Sequence, residues 1–162
     1  KFVISADSSF SRMHRWRENS SRLRWSNSIP VVADGRMPSF RSAFDMVFID
    51  APCTNTGVYR RRSDARWKWS DEYLKNAVSL QRELLLTACE LVVPGGILIY
   101  STCSLEDEEN RLQVKMFEKS RDNFQRISLP GPAELVTDGM MCIFPFDHKV
   151  DGMFAAAWKR DQ

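Results

Sequence analysis

At 162 residues, with 43% hydrophobic and 27% charged side chains, the chain matches one globular domain long enough to bury a real core. The formal charge of +2 is too small to imply a nucleic-acid partner by itself. No run of about 18 apolar residues is present, so no membrane-spanning helix is expected. Cys53, Cys89, Cys103 and Cys142 show no C-x-x-C pairing and lie far in sequence from His14 and His148. Neither a structural zinc site nor a secreted disulfide framework is therefore expected, and a reducing cytoplasm is the default setting.

In chain order, Phe2 to Ala6 reads as a short strand ending at Asp7. Ser8 or Ser9 can cap the helix that follows, where Phe10, Met13, Trp16, Ser20 and Leu23 recur at helical spacing. Between Arg12 and Arg24 five arginines stand against one acid, Glu18, which suits either a solvated helix face or a phosphate-bearing partner. Ile29 to Ala33 is a second strand, ending at Asp34-Gly35. Phe44 to Ile49 is a third, apolar enough to be covered on both faces, and ends at Asp50. Three successive strands thus end in aspartate. Carboxylates along one rim of a parallel sheet can accept hydrogen bonds from ribose hydroxyls or an adenine amino group.

After Asp50 come Pro52, Cys53 and a polar turn closed by Gly57, then Tyr59-Arg60-Arg61-Arg62 and Arg66-Trp67-Lys68-Trp69. Basic residues interleaved with aromatics suit phosphates and unstacked bases, the alternative being an exposed loop. Ser70 reads as the cap of a long helix whose stripe runs from Leu74 to Val92 and is stopped by Pro94-Gly95-Gly96. Cys89 beside that stripe is expected in or near the core. Ile97 to Tyr100 is a strand running into Ser101-Thr102-Cys103-Ser104. Ser104 and Asp107 have the form of a capping box, with Glu106 to Glu109 in the first turn of the next helix. Cys103 would then sit just before a helix N-terminus, where a thiolate is favoured, though the neighbouring acids oppose this. Phe124 to Leu129 and Gly152 to Trp158 read as late strands, Pro130 to Pro132 as a loop, and Cys142 as core. Strands alternating with helices predict a doubly wound α/β fold.

Asp50-Ala51-Pro52-Cys53-Thr54-Asn55-Thr56-Gly57-Val58 with Arg60-Arg61, and Tyr100-Ser101-Thr102-Cys103-Ser104 with Glu108-Glu109-Asn110, resemble the two cysteine motifs of the Sun/Nop-type RNA (cytosine-5) methyltransferases. Asp151-Gly152-Met153-Phe154 resembles that family's closing D-G-F-F strand. The chain has Thr54-Asn55 where the family more often has Ser-Gly. The resemblance spans nearly the whole chain. It implies a Rossmann-like class I methyltransferase, with a mostly parallel sheet, acting on a cytosine in ribosomal or, next, transfer RNA with S-adenosylmethionine as cofactor. Matched residue by residue, Cys103 is the nucleophile, Cys53 assists release, and Asp50 steadies the base beside the cofactor. Asp7 matches the ribose-binding acid and Asp34 the acid near the adenine. Arg60, Arg61, Arg62 and Trp67 are expected to meet RNA.

Family members carry a first strand and a glycine-rich cofactor loop ahead of the strand matching Phe2 to Ala6, and an RNA-binding region before that. The chain opens instead on Lys1-Phe2-Val3-Ile4, so it is expected to be a single partial catalytic domain, missing its first strand, from a longer protein. The alternative expectation is a non-catalytic RNA-binding or scaffold module that has lost the cofactor loop.

Overall fold

The computed structural model describes residues 2–38, 40 and 44–162. They fall into two units, Lys1–Arg41 and Ser42–Gln162. In the first, strands β1 (Val3–Asp7) and β2 (Ser28–Val32) pair in parallel, with Asp7 beside Val32. Helix α1 (Phe10–Arg22) connects them, and its start is set by Ser9, whose side-chain oxygen accepts from the Arg12 N–H. The face expected on α1 is covered only in part: Met13, Trp16 and Ser20 are half-buried, but none of its residues is fully buried, and Phe10 is 74% exposed. A two-stranded sheet offers too little apolar surface to cover a helix.

The second unit opens with β3 (Phe44–Asp50), which crosses over through the short α2 (Ser63–Lys68) and the long α3 (Asp71–Ala88) to a parallel partner, β4 (Val92–Thr102). Then come α4 (Arg111–Ser120), β5 (Phe124–Ile127), β6 (Val136–Thr137), β7 (Met140–Ile143), α5 (Pro145–His148) and β8 (Met153–Arg160). The sheet order is β3-β4-β8-β7-β6, with β5 also paired to β8. Because β8 is antiparallel to β4, β5 and β7, strands β3, β4, β5 and β7 share one direction and β8 is inserted against them.

Ser70 caps α3 as expected, accepting from the Tyr73 N–H. The helix ends at Ala88, however, and Pro94-Gly95-Gly96 lies inside β4 instead of stopping a helix. The ladder shows why. Phe44 pairs with Val92 and Met46 with Ile97, so the Pro-Gly-Gly segment forms a bulge. Gly95 has φ +78°, and a Cβ on Gly96 would lie 2.8 Å from a Val92 methyl. Strand β3 is also covered less fully than its apolar run suggests. Val47 and Ile49 pack on the core, while Met46 and Phe48 are 54% and 60% exposed, as the alternation of a strand with one buried face requires.

The core gathers Leu85, Leu98, Tyr100, Val114, Phe117, Phe124 and Trp158, with the Phe117 and Trp158 rings 4.7 Å apart. Cys89 and Cys142 are buried there as expected. Among the described residues no helix is long and apolar enough to cross a membrane.

Candidate active site

Parallel pairing of β3 with β4 places Asp50 beside Ser101, so the segments leaving the two strands emerge together at one sheet edge. The Ala51 N–H donates to the Ser101 carbonyl at 2.9 Å, which keeps them adjacent beyond the ladder. Cys53 and Cys103 follow, and their sulfurs lie 3.2 Å apart. Cys53 is buried and Cys103 half-buried. Asn55 completes the pair. It adopts the left-handed conformation at φ +62°, accepts from the Cys103 thiol at 3.1 Å, and donates through Nδ2 to the Cys53 carbonyl at 2.8 Å. Asp50 is exposed, and Ser101 donates to its Oδ1 at 3.4 Å.

The two thiols are driven apart in acidity. Donation from the Cys53 thiol holds Cys103 below the ordinary thiol range, against burial and the nearby Asp50 and Glu109 charges. Cys53 is pushed strongly upward, first by its hydrogen bond with Cys103 and then by burial. Of the two thiols, Cys103 is therefore the one that gives up its proton more readily, and Cys53 the one that keeps it. No helix N-terminus is responsible. Helix α4 begins at Arg111 with no acid in its first turn, and the Ser104 side chain accepts from Glu106 N–H in a local turn in place of a capping box.

The acid run expected on that helix instead delivers one buried carboxylate. Glu109 is fully buried; its Oε1 accepts from Thr54 N–H at 2.9 Å and from Gln81 Nε2 at 2.8 Å, and its Oε2 from the Thr54 hydroxyl at 2.5 Å. The sequence marks Glu109 only as a member of the Glu108-Glu109-Asn110 motif, so its burial under the cysteines, and Asn55 as a thiol partner, are what sequence reasoning missed. Two glycines bring the third motif in. Gly57 N–H donates to the Cys103 carbonyl at 2.9 Å and Gly152 N–H to the Gly57 carbonyl at 2.8 Å. A Cβ at Gly57 would stand 2.8 Å from the Cys103 carbonyl oxygen and 2.9 Å from Gly152 Cα, so both backbones need glycine's bareness there.

Asp151, beside Gly152, pairs with Arg61 and lies 3.9 Å from Arg60, which orients both arginines while leaving their side chains about 70% exposed. Arg62 pairs with Asp64 at 3.3 Å, Arg66 lies over the Tyr59 ring, and Trp67 is 86% exposed. These residues form a basic, aromatic surface on α2 and the turn before it.

In the first unit, Asp7 ends β1 and Asp34 follows β2, at the carboxyl ends of two paired parallel strands. Asp7 accepts from Ser9 N–H at 2.7 Å and from Arg12 Nε at 2.9 Å. Hydrogen bonds from the Arg36 side chain and backbone hold the Asp34 carboxyl down at about 2.

Residues 1–159 match the family model 16S rRNA methyltransferase RsmB/F. Ribosomal RNA small subunit methyltransferase B of Vibrio cholerae is 36% identical over 158 residues, 95% of this chain and 35% of that protein. Ribosomal RNA small subunit methyltransferase F of Pectobacterium carotovorum is 33% identical over 172 residues, 98% of this chain and 34% of that protein. The chain thus spans about a third of the length of these curated relatives. Among solved structures, NSun6 from Pyrococcus horikoshii with SFG is similar at a TM-score of 0.83 and 28% identity, over 99% of this chain and 42% of that one. The fold is the Rossmann-like α/β methyltransferase fold expected from the motifs. With its paired cysteine motifs in register and nearly its whole length matched, the chain belongs to the RsmB/F family of 16S rRNA methyltransferases.

Proposed function

We propose that the chain is the catalytic part of an RNA (cytosine-5) methyltransferase that uses S-adenosylmethionine, with ribosomal RNA as substrate ahead of transfer RNA. The observation that carries this reading is the 3.2 Å approach of the Cys103 and Cys53 sulfurs at the sheet edge where Asp50 ends β3. Cytosine carbon 5 is a poor nucleophile, so a covalent detour splits one hard step into two easier ones. The Cys103 thiolate attacks C6 of the base, the S–C6 bond forms, and the ring's π pair moves onto C5. The Asp50 carboxyl hydrogen-bonds the ring or amino nitrogen and offsets the developing charge. Release is an elimination: Cys53, having given its own proton to solvent, takes the C5 proton, the C5–H electron pair restores the C5–C6 double bond, and the S–C6 bond breaks with its pair on Cys103, which leaves as thiolate.

Cys53 serves that second half. While Cys103 is a thiolate, its hydrogen bond and charge keep Cys53 protonated; as a thioether, Cys103 no longer carries that charge. Cys53 becomes easier to deprotonate when the C5 proton has to go.

The first unit's acids fit the cofactor. Asp7 and Asp34 sit at the carboxyl ends of parallel strands and offer carboxylate oxygens, the acceptors that a ribose and an adenine amino group need. Asp7 would hold the ribose and Asp34 the adenine, and the resemblance assigns Asp50 to the cofactor as well. When bound, the cofactor supplies the methyl group that C5 accepts. Arg60, Arg61, Arg62 and exposed Trp67 present cations and a ring face to an unstacked strand.

The test is methyl transfer to RNA by the full-length protein. Cys103→Ala is expected to abolish transfer, and Cys53→Ala to accumulate an RNA–protein adduct that survives denaturing electrophoresis. Transfer that persists without Cys103 would sink the mechanism.

A further inference from the structure

The reaction uses Cys53 and Cys103 but leaves the buried polar cluster beneath them unexplained. Its centre is the dipeptide Glu109-Asn110, whose hydrogen bonds reach the neighbours on both sides of both cysteines. Around Cys53, Glu109 accepts from Thr54 N–H and from the Thr54 hydroxyl. It also accepts from Gln81 Nε2, which donates in turn to the Pro52 carbonyl at 3.0 Å. Around Cys103, Asn110 Oδ1 accepts from the Thr102 hydroxyl at 2.6 Å and its Nδ2 donates to the Ser104 carbonyl at 2.9 Å. The dipeptide is itself anchored to β4, since the Tyr100 hydroxyl donates to the Glu109 carbonyl at 2.6 Å. The Ser104 hydroxyl closes the ring by meeting Thr54 Oγ1 at 3.1 Å.

A fully buried carboxylate met only by neutral donors is an expensive way to fill a core, and an apolar residue of similar size would pack there without the desolvation cost. What the polar version provides is directional: fixed bonds to three residues that flank two reactive sulfurs, Thr54, Thr102 and Ser104, and to a fourth, Pro52, through Gln81. We propose that Glu109 and Asn110 are positioning residues, a two-residue clamp that sets the separation of the Cys53 and Cys103 sulfurs and so permits the handover from attack to release. The assignment rests on the reaction proposed above, because only that reaction requires both thiols to meet one base in turn.

Glutamine at position 109 keeps the shape of the side chain, one acceptor for Thr54 N–H and Gln81, and an amide donor for Thr54 Oγ1. The clamp therefore predicts rescue by Glu109→Gln where Glu109→Ala fails. The experiment uses the full-length protein and two readouts. One is binding of phenylarsine oxide, which bridges two thiols only when their sulfurs are close and needs neither RNA nor methyl transfer. The other is steady-state transfer to RNA. Glu109→Ala and Asn110→Ala are expected to weaken arsenical binding by about tenfold or more, as loss of the second attachment would. In both variants kcat should fall about 100-fold, the effect of displacing reacting groups by about 1 Å, while KM for RNA stays within about twofold. Glu109→Gln should restore arsenical binding.

Should Glu109→Ala fail to fold, Thr54→Val, which removes a single hydroxyl of the clamp, is judged by the same two readouts. Arsenical binding and kcat within about twofold of the parent in a folded clamp variant would overturn the proposal. Failure of the underlying reaction is read elsewhere, from transfer that survives Cys103→Ala, so the two failures are told apart.

Discussion

In the first unit Asp7 and Asp34 each face an arginine in contact with solvent, with 26% and 41% of their side chains exposed. In the second, Glu109 is fully buried and faces neutral donors. The contrast extends to the apolar residues. No described residue of the first unit is buried, whereas Leu85, Leu98, Tyr100, Phe117 and Trp158 of the second are closed to water. Solvated ion pairs are loose and screened, so carboxylates held that way remain able to exchange partners. Buried networks hold a geometry and resist exchange. The acids proposed for a cofactor that must come and go are of the first kind. The clamp around two permanent thiols is of the second.

The comparison breaks most visibly in stability. Trp158 packs on Phe117 and donates to Glu118 at 3.0 Å, so Trp158→Ala should cost about 3–5 kcal/mol in urea unfolding. Phe10→Ala, at a position 74% exposed, should stay within about 0.5 kcal/mol. Comparable costs at the two sites would mean that the first unit has a core of its own. A smaller effect sharpens the thiol side. Cys53→Ala removes the donor that stabilises the Cys103 thiolate while burial and Asp50 continue to oppose it, so the Cys103 pKa must rise. The pH profile of Cys103 alkylation should move upward, with the rate at neutral pH falling about tenfold. A downward move would mean that Cys53 is not the donor. The smallest effect belongs to the first unit. Arg36→Ala should let the Asp34 carboxyl climb from about 2 toward its ordinary 3.8, followed by NMR titration, with no change in the unfolding midpoint.

Much of this was legible locally. Caps at Ser9 and Ser70 follow from side chains that bond within three residues, and β1 and β3 end at Asp7 and Asp50 as their apolar runs end. The misreadings have equally physical causes. A helical stripe and a buried strand both appear as dense apolar runs, so periodicity carries the α3 stripe into β4 and reads the Pro-Gly-Gly bulge as a helix stop. The short α2 and the β6–β7 hairpin, in which Val136 pairs with Met141, have too few residues to show a helical or alternating period.

The sequence by itself determined which residues are candidates for the site: two cysteine motifs in order, aspartates at strand ends, and arginines with tryptophans after the first motif. Residue identity and short-range spacing carry that information. Tertiary structure alone decided how they act. Sulfurs separated by 50 positions in the chain lie 3.2 Å apart, and that contact makes Cys103 the more acidic of the two thiols. One acid of a run of four is buried beneath them because β3 and β4 run parallel and bring Thr54 and Glu109 together. A pKa and a buried hydrogen bond depend on what surrounds a group in space, and spacing along the chain does not encode it.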